Sequence, residues 1–304
     1  MKNIQLTFLL MLGSLLFFSC SSDDVETTST DGKEETPSKY RLSKIDLNNA
    51  RSQPYSYDDF EFTYEADNEA IKEITRGSYV YELLYEENLI TVNLVEENMS
   101  GAEVTDLHEI HLENNKLTYV KNINVFTYTS GDVQTTIDSI KYDYHNNRLA
   151  KISSYRKNDL NYELVKDVEM VYQAGNVIET NTSRGENTIK HIYTYDTNEK
   201  LKFSQMAYEM PIFKFTPLYY TIAHDKFGEQ NKNNVLSASI TYDYELFSPE
   251  YSQINYTYVL DEETNLLERI ELSGTAKVDN PDYEEYYPSK TFDDISVMLI
   301  HESY

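Results

Sequence analysis

The sequence is poor in several residues that build disulfides, collagen-like repeats and nucleic-acid surfaces. It has one cysteine, Cys20, and no tryptophan in 304 residues, so an intramolecular disulfide is excluded. Only 9 glycines and 7 prolines occur, which excludes a collagen-like chain. Acidic residues number 52 and basic residues 26, and the net charge of −26 repels phosphate backbones and anionic lipid headgroups. We therefore expect no nucleic-acid partner.

Common motifs of catalysis and metal binding are missing as well. The sequence contains neither G-x-S-x-G nor H-E-x-x-H. His108 and His111 are the closest histidines, and in a strand their odd spacing sends them to opposite faces, which argues against a shared metal. We predict a non-enzymatic protein without a cofactor or metal site. Acidic pairs such as Asp58 with Asp59 and Asp293 with Asp294 leave a glycoside hydrolase as a remote alternative, because that reaction needs two carboxylates across a cleft.

A long apolar run stands at the N-terminus. Lys2 precedes an apolar segment from Ile4 to Phe18, and Ser19 and Cys20 end it. This pattern predicts a secretory signal peptide over residues 1–19. Such peptides have a positively charged N-terminal region, a hydrophobic region, here of about fifteen residues, and a small residue before the cleavage site. A transmembrane helix needs about twenty apolar residues, so this run is too short for one.

The following segment, residues 20–39, is rich in Ser, Thr, Asp and Glu. It has too few apolar side chains to offset the entropy lost on ordering, so we predict a flexible tether. A tether of this length spans roughly 25 Å. The folded domain then covers residues 40–304.

The cleavage region resembles a known targeting signal. The run Leu16-Phe17-Phe18-Ser19-Cys20 resembles the lipobox of bacterial lipoproteins, and the acidic stretch Ser21 to Asp24 is similar to the export tag of Bacteroidota surface lipoproteins. This resemblance implies that Cys20 becomes the lipid-attached first residue of the mature chain. Several acyl chains would make that anchor effectively permanent. It also implies an outer-membrane location, with a surface-exposed or a periplasm-facing domain as alternatives.

The segment Ile140 to Ile152 has the pattern of a β-hairpin. Ile140, Tyr142 and Tyr144 alternate with polar residues, which predicts a strand with one buried face. Asn146-Asn147 suits a tight turn, because asparagine tolerates positive φ well, and a second apolar run follows directly. The segment therefore predicts two antiparallel strands.

Similar segments recur along most of the chain. Each has an aromatic or apolar anchor, an asparagine a few residues on, and then two apolar positions. The copies have their anchors at Tyr64, Tyr85, Leu112, Tyr144, Tyr172, Tyr195 and Tyr256. They predict an all-β antiparallel meander of hairpins forming a strongly curved sheet or incomplete barrel, with a two-sheet sandwich as the alternative. In copies such as Leu149 with Ile152, Ile71 with Ile74 and Leu117 with Val120, the apolar residues lie three apart, so one strand of the hairpin either contains a bulge or has both faces partly covered.

These hairpins resemble degenerate YD repeats of the Rhs type, on the Tyr-Asp pairs at Tyr57, Tyr142, Tyr195 and Tyr242 and the asparagine turns. They are also similar to a family of Bacteroidota lipoproteins of unknown function built from such hairpins. The resemblance spans about residues 60–275. It implies a β-rich envelope protein and no particular activity.

A non-repeat insertion at about residues 203–235 interrupts the series. Its two prolines argue against a central strand, so we predict a long connection with a helical turn. Loops of this length often carry function, and the aromatic residues make it the candidate ligand-binding region. The candidate residues are Tyr208, Phe213, Phe215, Tyr219 and Tyr220. The alternative is that these aromatic side chains plug one end of the barrel.

The 28 tyrosines suggest how such a protein could act. Tyrosine rings combine stacking faces with hydroxyl groups, so we predict a lipoprotein that binds a glycan, a peptide or a lipid through a tyrosine-rich face. The alternative is a structural or protein-interaction component of the cell envelope.

Overall fold

The computed structural model describes residues 39–46, 59–65, 70–97, 102–158, 161–203, 216–244, 250–277 and 290–303. The predicted signal peptide, Cys20 and nearly all of the predicted tether lie outside this part of the chain. Lys39–Tyr304 forms one compact unit. Its described residues contain no helix long and apolar enough to cross a membrane.

The described residues form sixteen strands and one α-helix. The strands are β1 (Tyr40–Asp46), β2 (Phe60–Tyr64), β3 (Ile71–Arg76), β4 (Tyr79–Tyr85), β5 (Leu89–Glu97), β6 (Ala102–Glu113), β7 (Lys116–Tyr128), β8 (Val133–His145), β9 (Arg148–Asn158), β10 (Asn161–Gln173), β11 (Asn176–Arg184), β12 (Asn187–Tyr195), β13 (Val235–Tyr242), β14 (Glu250–Leu260), β15 (Leu267–Lys277) and β16 (Lys290–Ser303). The helix α1 (Thr216–Ala223) and a 3-10 turn (His224–Lys226) lie between β12 and β13.

Each strand pairs antiparallel with the strands before and after it, and β1 pairs with β16, so the sheet closes into a barrel. Tyr40 is opposite Ser303, and Arg41 forms an ion pair with Glu302 across this junction, with 2.8 Å between Nε and Oε1. The predicted all-β meander that curves into a barrel is confirmed, and the ring is complete. The sandwich alternative does not apply, because all sixteen strands belong to one sheet.

Asparagine pairs form two of the tight turns at one end of the barrel. Asn146 and Asn147 have φ of 49° and 65°, and Asn114 and Asn115 have φ of 50° and 60°. Positive φ at both central residues is the geometry of the two-residue hairpin turn that matches strand twist. The hairpin predicted at residues 140–152 is confirmed as β8 and β9, which pair from Asp138 with Arg156 to His145 with Arg148.

Bulges explain the apolar pairs spaced three residues apart. Tyr144 is opposite Leu149 and Asp143 is opposite Lys151, so Ala150 is the extra residue of a bulge. Leu149 and Ile152 therefore both face the interior, with exposed fractions of 6% and 3%. The same shift occurs beside five other connections at this end. The extra residues there are Lys72, Thr118, Ile178, Leu236 and Glu268.

In the described part of the chain, several tyrosines bind the main chain of a preceding strand, and we call the five named below the tyrosine ring. Their hydroxyl groups donate to carbonyl oxygens of residues that directly precede a bulge. The pairs are Tyr64 with Leu42, Tyr144 with Leu117 (2.7 Å), Tyr172 with Leu149 (2.8 Å), Tyr195 with Val177 (2.5 Å) and Tyr258 with Val235 (2.9 Å). A bulge disrupts the ladder locally, so these hydroxyls satisfy carbonyls beside the disruption.

The two faces of the barrel wall differ in chemistry. Inward-facing side chains form one apolar core, in which Ile74, Val92, Ile110, Val120 and Ile270 are fully buried. Outward-facing residues form cross-strand ion pairs. These pairs are Lys44 with Glu61 (3.2 Å), Lys121 with Glu109 (3.0 Å), Lys151 with Asp167 (2.8 Å) and Lys190 with Glu179 (2.7 Å). Inward-facing side chains thus form an apolar core, and outward-facing side chains carry charged pairs.

Candidate functional site

The connection between β12 and β13 covers one end of the barrel, the end at which each even-numbered strand turns into the next strand. We call this the capped end, and the described residues 196–203 and 216–234 the cap. In its described residues the connection forms no strand, and it contains α1. Pro217 lies in the first turn of α1, where a missing amide proton breaks no helical hydrogen bond.

The cap is fastened to the β8–β9 turn. Gly228 bridges to Arg148, and the Glu229 amide donates to the Asn147 carbonyl at 2.7 Å. Gly228 has φ of 72°, and a Cβ atom there would lie 2.4 Å from the Asn147 oxygen, so this contact requires glycine. The Arg148 guanidinium donates to Glu229 at 3.0 Å and holds the pKa of that carboxyl group below its usual range.

Asparagine side chains fasten the cap to the next hairpin. Asn231 accepts a hydrogen bond from the Val177 amide at 2.8 Å, and Asn176 accepts bonds from the amides of Lys232 (2.8 Å) and Asn233 (3.0 Å). Asn176 and Asn231 are almost fully buried. These side chains take the place of a β-ladder where the chain runs as an irregular loop.

Helix α1 reaches into the barrel. Tyr219, Ile222 and Ala223 belong to the apolar core, and so does Phe227 just after the 3-10 turn. The Tyr219 hydroxyl lies 2.7 Å from Nδ1 of His108, and Nε2 of His108 lies 3.2 Å from Asp106. This geometry fits a neutral imidazole that accepts from Tyr219 and donates to the carboxylate.

The same carboxylate also accepts a hydrogen bond from Tyr81 at 3.2 Å. Burial raises the pKa of Tyr219 and of Tyr81 well above the ordinary value, so both hydroxyls stay protonated. Asp106, His108 and Tyr219 form the chain of contacts found in some hydrolases. Tyr219 is only 1% exposed, however, so its hydroxyl is not presented to a substrate. The contacts hold the helix in the barrel, and we call them the latch.

A cleft of about 480 Å³ opens beside the helix at the capped end. This volume lies in the range of small-molecule sites. We call it the mouth cleft. Its floor is apolar, and its rim carries carboxylate, amide and ammonium groups. Among its side chains are Ile71, Ile90, Leu112 and Ile222 on the floor, and Tyr85, Glu86, Asn115, Asp225 and Lys226 on the rim.

His224 also lines the mouth cleft. Burial lowers its pKa, and the nearby Lys202 lowers it further, so the imidazole is neutral at pH 7. Its ring lies 5.5 Å from that of Phe203. An uncharged imidazole carries one hydrogen-bond donor and one acceptor.

The predicted ligand-binding residues fall in different places. Tyr208, Phe213 and Phe215 lie outside the described residues, and Tyr219 and Tyr220 lie on α1. Tyr219 is part of the core, which matches the alternative of an aromatic plug for that residue. Ligand binding by the five residues stays a prediction.

Sequence reasoning missed the latch and the mouth cleft. Asp106 and Tyr81 gave no signal, and His108 was considered only as half of a histidine pair. His108 and His111 do lie on opposite faces, the first 1% exposed inside the barrel and the second outside. The described residues contain no group of three His, Cys, Asp or Glu side chains that could hold a metal ion.

No protein-family profile matches the sequence, and the search of curated proteins found no match. The structure is similar to two solved structures of porin-like proteins. One, from Bacteroides vulgatus ATCC 8482, gives a TM-score of 0.55 at 14% identity over 86% of this chain and 98% of that one. The other, from Bacteroides uniformis ATCC 8492, gives a TM-score of 0.53 at 12% identity over the same shares. At such identities the likeness shows the barrel fold alone.

Proposed function

We propose that the protein is a lipid-anchored outer-membrane protein whose barrel stands in water and binds a ligand at the mouth cleft. The mature chain starts at Cys20, whose acyl chains hold it to the membrane. The observation that carries this proposal is the chemistry of the barrel wall, with an apolar interior and a charged exterior. It acts as a binding module and does not form a channel.

The outward face argues against a barrel that spans the lipid. A membrane-spanning barrel presents an apolar band about 25 Å tall, and a Lys or Arg at its centre costs about 2–4 kcal/mol. Here Lys121, Lys151 and Lys190 lie within their strands and face outward in ion pairs. The free energy needed to dehydrate a series of such pairs would be far larger than the free energy gained by burying the scattered exposed apolar side chains in lipid.

The interior argues against a channel. Pores of wide barrels are lined by polar side chains and filled with water. In this barrel the inward face is a packed core, and α1 adds Tyr219 and Ile222 to it. The latch then holds the helix in place by its contacts with Asp106 and His108.

The lining of the mouth cleft suits a ligand that has both polar groups and apolar patches. Isoleucine and leucine side chains line its floor, while Glu86, Asn115 and Lys226 supply charge and hydrogen bonds at the rim. Tyr85 is 43% exposed beside it and offers part of a ring face for stacking. This mixture favours a glycan or a peptide over an alkyl chain.

Membrane attachment is tested with Cys20→Ala in cells that process lipoproteins. The unaltered protein should take up labelled fatty acid and fractionate with the outer membrane, and the variant should do neither. In planar bilayers the purified protein should give no conductance steps beside a porin control. Stable channels, or membrane retention of the variant after carbonate washing, would contradict the proposal.

Ligand binding is tested by thermal shift on the unit Lys39–Tyr304 with glycan and peptide libraries. A ligand at a hundred times its dissociation constant adds about 2.7 kcal/mol of stability. The shift should disappear in Tyr85→Ala and persist in Tyr162→Ala, a tyrosine of similar exposure (46%) that does not line the cleft. If no member of either class shifts the transition, the binding proposal fails, and an envelope protein partner becomes the next candidate.

A further inference from the structure

A second cleft, of about 610 Å³, lies beside the contact between the cap and the barrel wall. No described residue lines both this cleft and the mouth cleft. We call it the flank cleft. It is formed by the β8–β9 hairpin, by the end of β10 and by Glu229 of the cap. Its apolar wall consists of Ala150, Met170 and Val171, and Val171 is 43% exposed. The volume lies in the range of small-molecule sites.

Arg148 is held in a fixed orientation at the flank cleft. Its Nε atom donates to Glu229 at 3.0 Å, and its guanidinium carbon lies 5.4 Å from the centre of the Tyr172 ring. Its main chain is bridged to Gly228. Within the described residues, the two terminal nitrogens of this guanidinium form no hydrogen bond. Because the guanidinium is already ordered, little side-chain entropy is lost when its terminal nitrogens bind a ligand.

The charged groups at the flank cleft favour an anion. A hydrogen bond from Arg148, and more weakly the charge of Lys116, lower the pKa of Glu229, so this carboxylate is ionised and offsets one cation. Lys232 lies near Arg148, since a Cβ atom at Gly175 would be 3.3 Å from Lys232 Cβ and 3.9 Å from Arg148 Nη2. In the part of the chain that the structure describes, neither Lys116 nor Lys232 has a carboxylate within ion-pair distance. The flank cleft therefore attracts an anion, in a chain whose net charge is −26.

The mouth cleft has the opposite balance of charge. Glu86, Glu87 and Asp225 line it, and the single ammonium group among its described lining residues, on Lys226, is paired with Asp225 at 2.6 Å. Lys226 and Glu229 are only three residues apart, so the two clefts lie at neighbouring parts of the cap. A ligand that carries a carboxylate is therefore repelled at the mouth cleft and attracted at the flank cleft.

We propose that the flank cleft binds an organic carboxylate, with the carboxylate on Arg148 and the body of the ligand against the apolar wall. The two terminal nitrogens of a guanidinium match the two oxygens of a carboxylate, which gives a pair of parallel charge-assisted hydrogen bonds. His145 and Asn146 line the same cleft and supply hydrogen-bonding groups for hydroxyl or amide groups of the ligand. A sugar acid and the C-terminus of a peptide both carry this chemistry. The site lies apart from the mouth cleft and goes beyond the proposed function.

The test is isothermal titration of the purified mature protein, in a nonionic detergent and at constant ionic strength, with two carboxylates and their uncharged counterparts. The first pair is sodium glucuronate and methyl glucoside, and the second is N-acetyl-alanyl-leucine and its C-terminal amide. At least one carboxylate should bind with a stoichiometry near one and roughly tenfold or more tightly than its counterpart. Tighter binding of glucuronate identifies a sugar acid as the ligand, and tighter binding of the peptide identifies a C-terminus. If neither carboxylate binds more tightly than its counterpart, the proposal is wrong.

Variants separate recognition by the guanidinium from simple attraction by charge. Arg148→Lys keeps the positive charge but loses the pair of terminal nitrogens, so carboxylate binding should weaken roughly tenfold or more. Arg156→Lys is the matched control on β9, because that guanidinium is already bound to Asp138, and it should leave binding unchanged. Lys232→Gln removes an exposed charge and keeps the main-chain contact of this residue with the barrel, so it should weaken binding roughly threefold at an unchanged thermal midpoint. Unchanged carboxylate affinity in Arg148→Lys and Lys232→Gln would overturn the assignment.

Discussion

Removing one hydroxyl from the tyrosine ring should measurably destabilise the barrel. In Tyr258→Phe the hydrogen bond to the Val235 carbonyl, 2.9 Å long, is lost. That carbonyl lies beside the bulge at Leu236. A net hydrogen bond contributes about 0.5–1.5 kcal/mol, and leaving a buried acceptor unsatisfied costs about 1–3 kcal/mol. We therefore expect the free energy of unfolding to fall by about 1.5–2 kcal/mol.

The measurement is urea unfolding of Lys39–Tyr304 followed by far-ultraviolet circular dichroism, since the chain has no tryptophan. Tyr155→Phe is the matched control, because Tyr155 lies on the outer face of β9 and its loss of a hydroxyl should change the free energy by less than about 0.5 kcal/mol. Tyr144→Phe should lower the free energy of unfolding by about the same amount as Tyr258→Phe. The double variant should lower it by about twice as much, because the two sites are far apart around the ring. Equal midpoints for Tyr258→Phe and Tyr155→Phe would refute the reasoning.

Two further perturbations test other parts of the structure. Gly228→Ala should destabilise the attachment of the cap to the barrel by about 2 kcal/mol or more, since its Cβ atom would lie 2.4 Å from the Asn147 oxygen. Amide hydrogen exchange in residues 216–234 should then become faster. Unchanged protection there would contradict the contact. Burial and Lys166 lower the pKa of His191 to about 4, so the unfolded state binds a proton first as the pH falls below about 6.5. Stability should drop by about 2 kcal/mol between pH 7 and 4.5, and His191→Leu should reduce that drop; equal pH slopes in both proteins would show that His191 does not cause it.

The hairpins could be predicted from sequence because their determinants are local. In β8 and β9 the alternation of residues 140–144 and the asparagine pair at 146–147 lie within one short segment. The sequence also showed that Leu149 and Ile152 are three residues apart. It could not decide between a bulge and two covered faces, since a bulge is defined by the partner strand.

The role of the tyrosines needed contacts between hairpins. Sequence reasoning explained the abundance of tyrosine by ligand binding through a tyrosine-rich face. In the structure the Tyr172 hydroxyl is bound to a carbonyl 23 residues earlier, and Tyr258 repeats this spacing. Across the five tyrosines the separation ranges from 18 to 27 residues, so no fixed spacing in the sequence marks these contacts.

The candidate site was the least predictable part. The mouth cleft combines residues 70–115 with residues 221–226, and no local pattern links segments so far apart. The latch likewise joins His108 to Tyr219 across 111 positions. Only an insertion between two hairpins, with a helical turn in it, was inferred beforehand.

The pairing of β1 with β16 has a consequence for how the barrel can form. In a closed meander no strand is topologically first, so a circular permutation that joined Ser303 to Tyr40 and opened another turn would keep every ladder. A chain that stops before β16, in contrast, leaves β1 and β15 as two unpaired edges, which are sites for aggregation. The fold is therefore complete only when its last strand has been added, and until then the earlier strands must be kept from pairing with other chains.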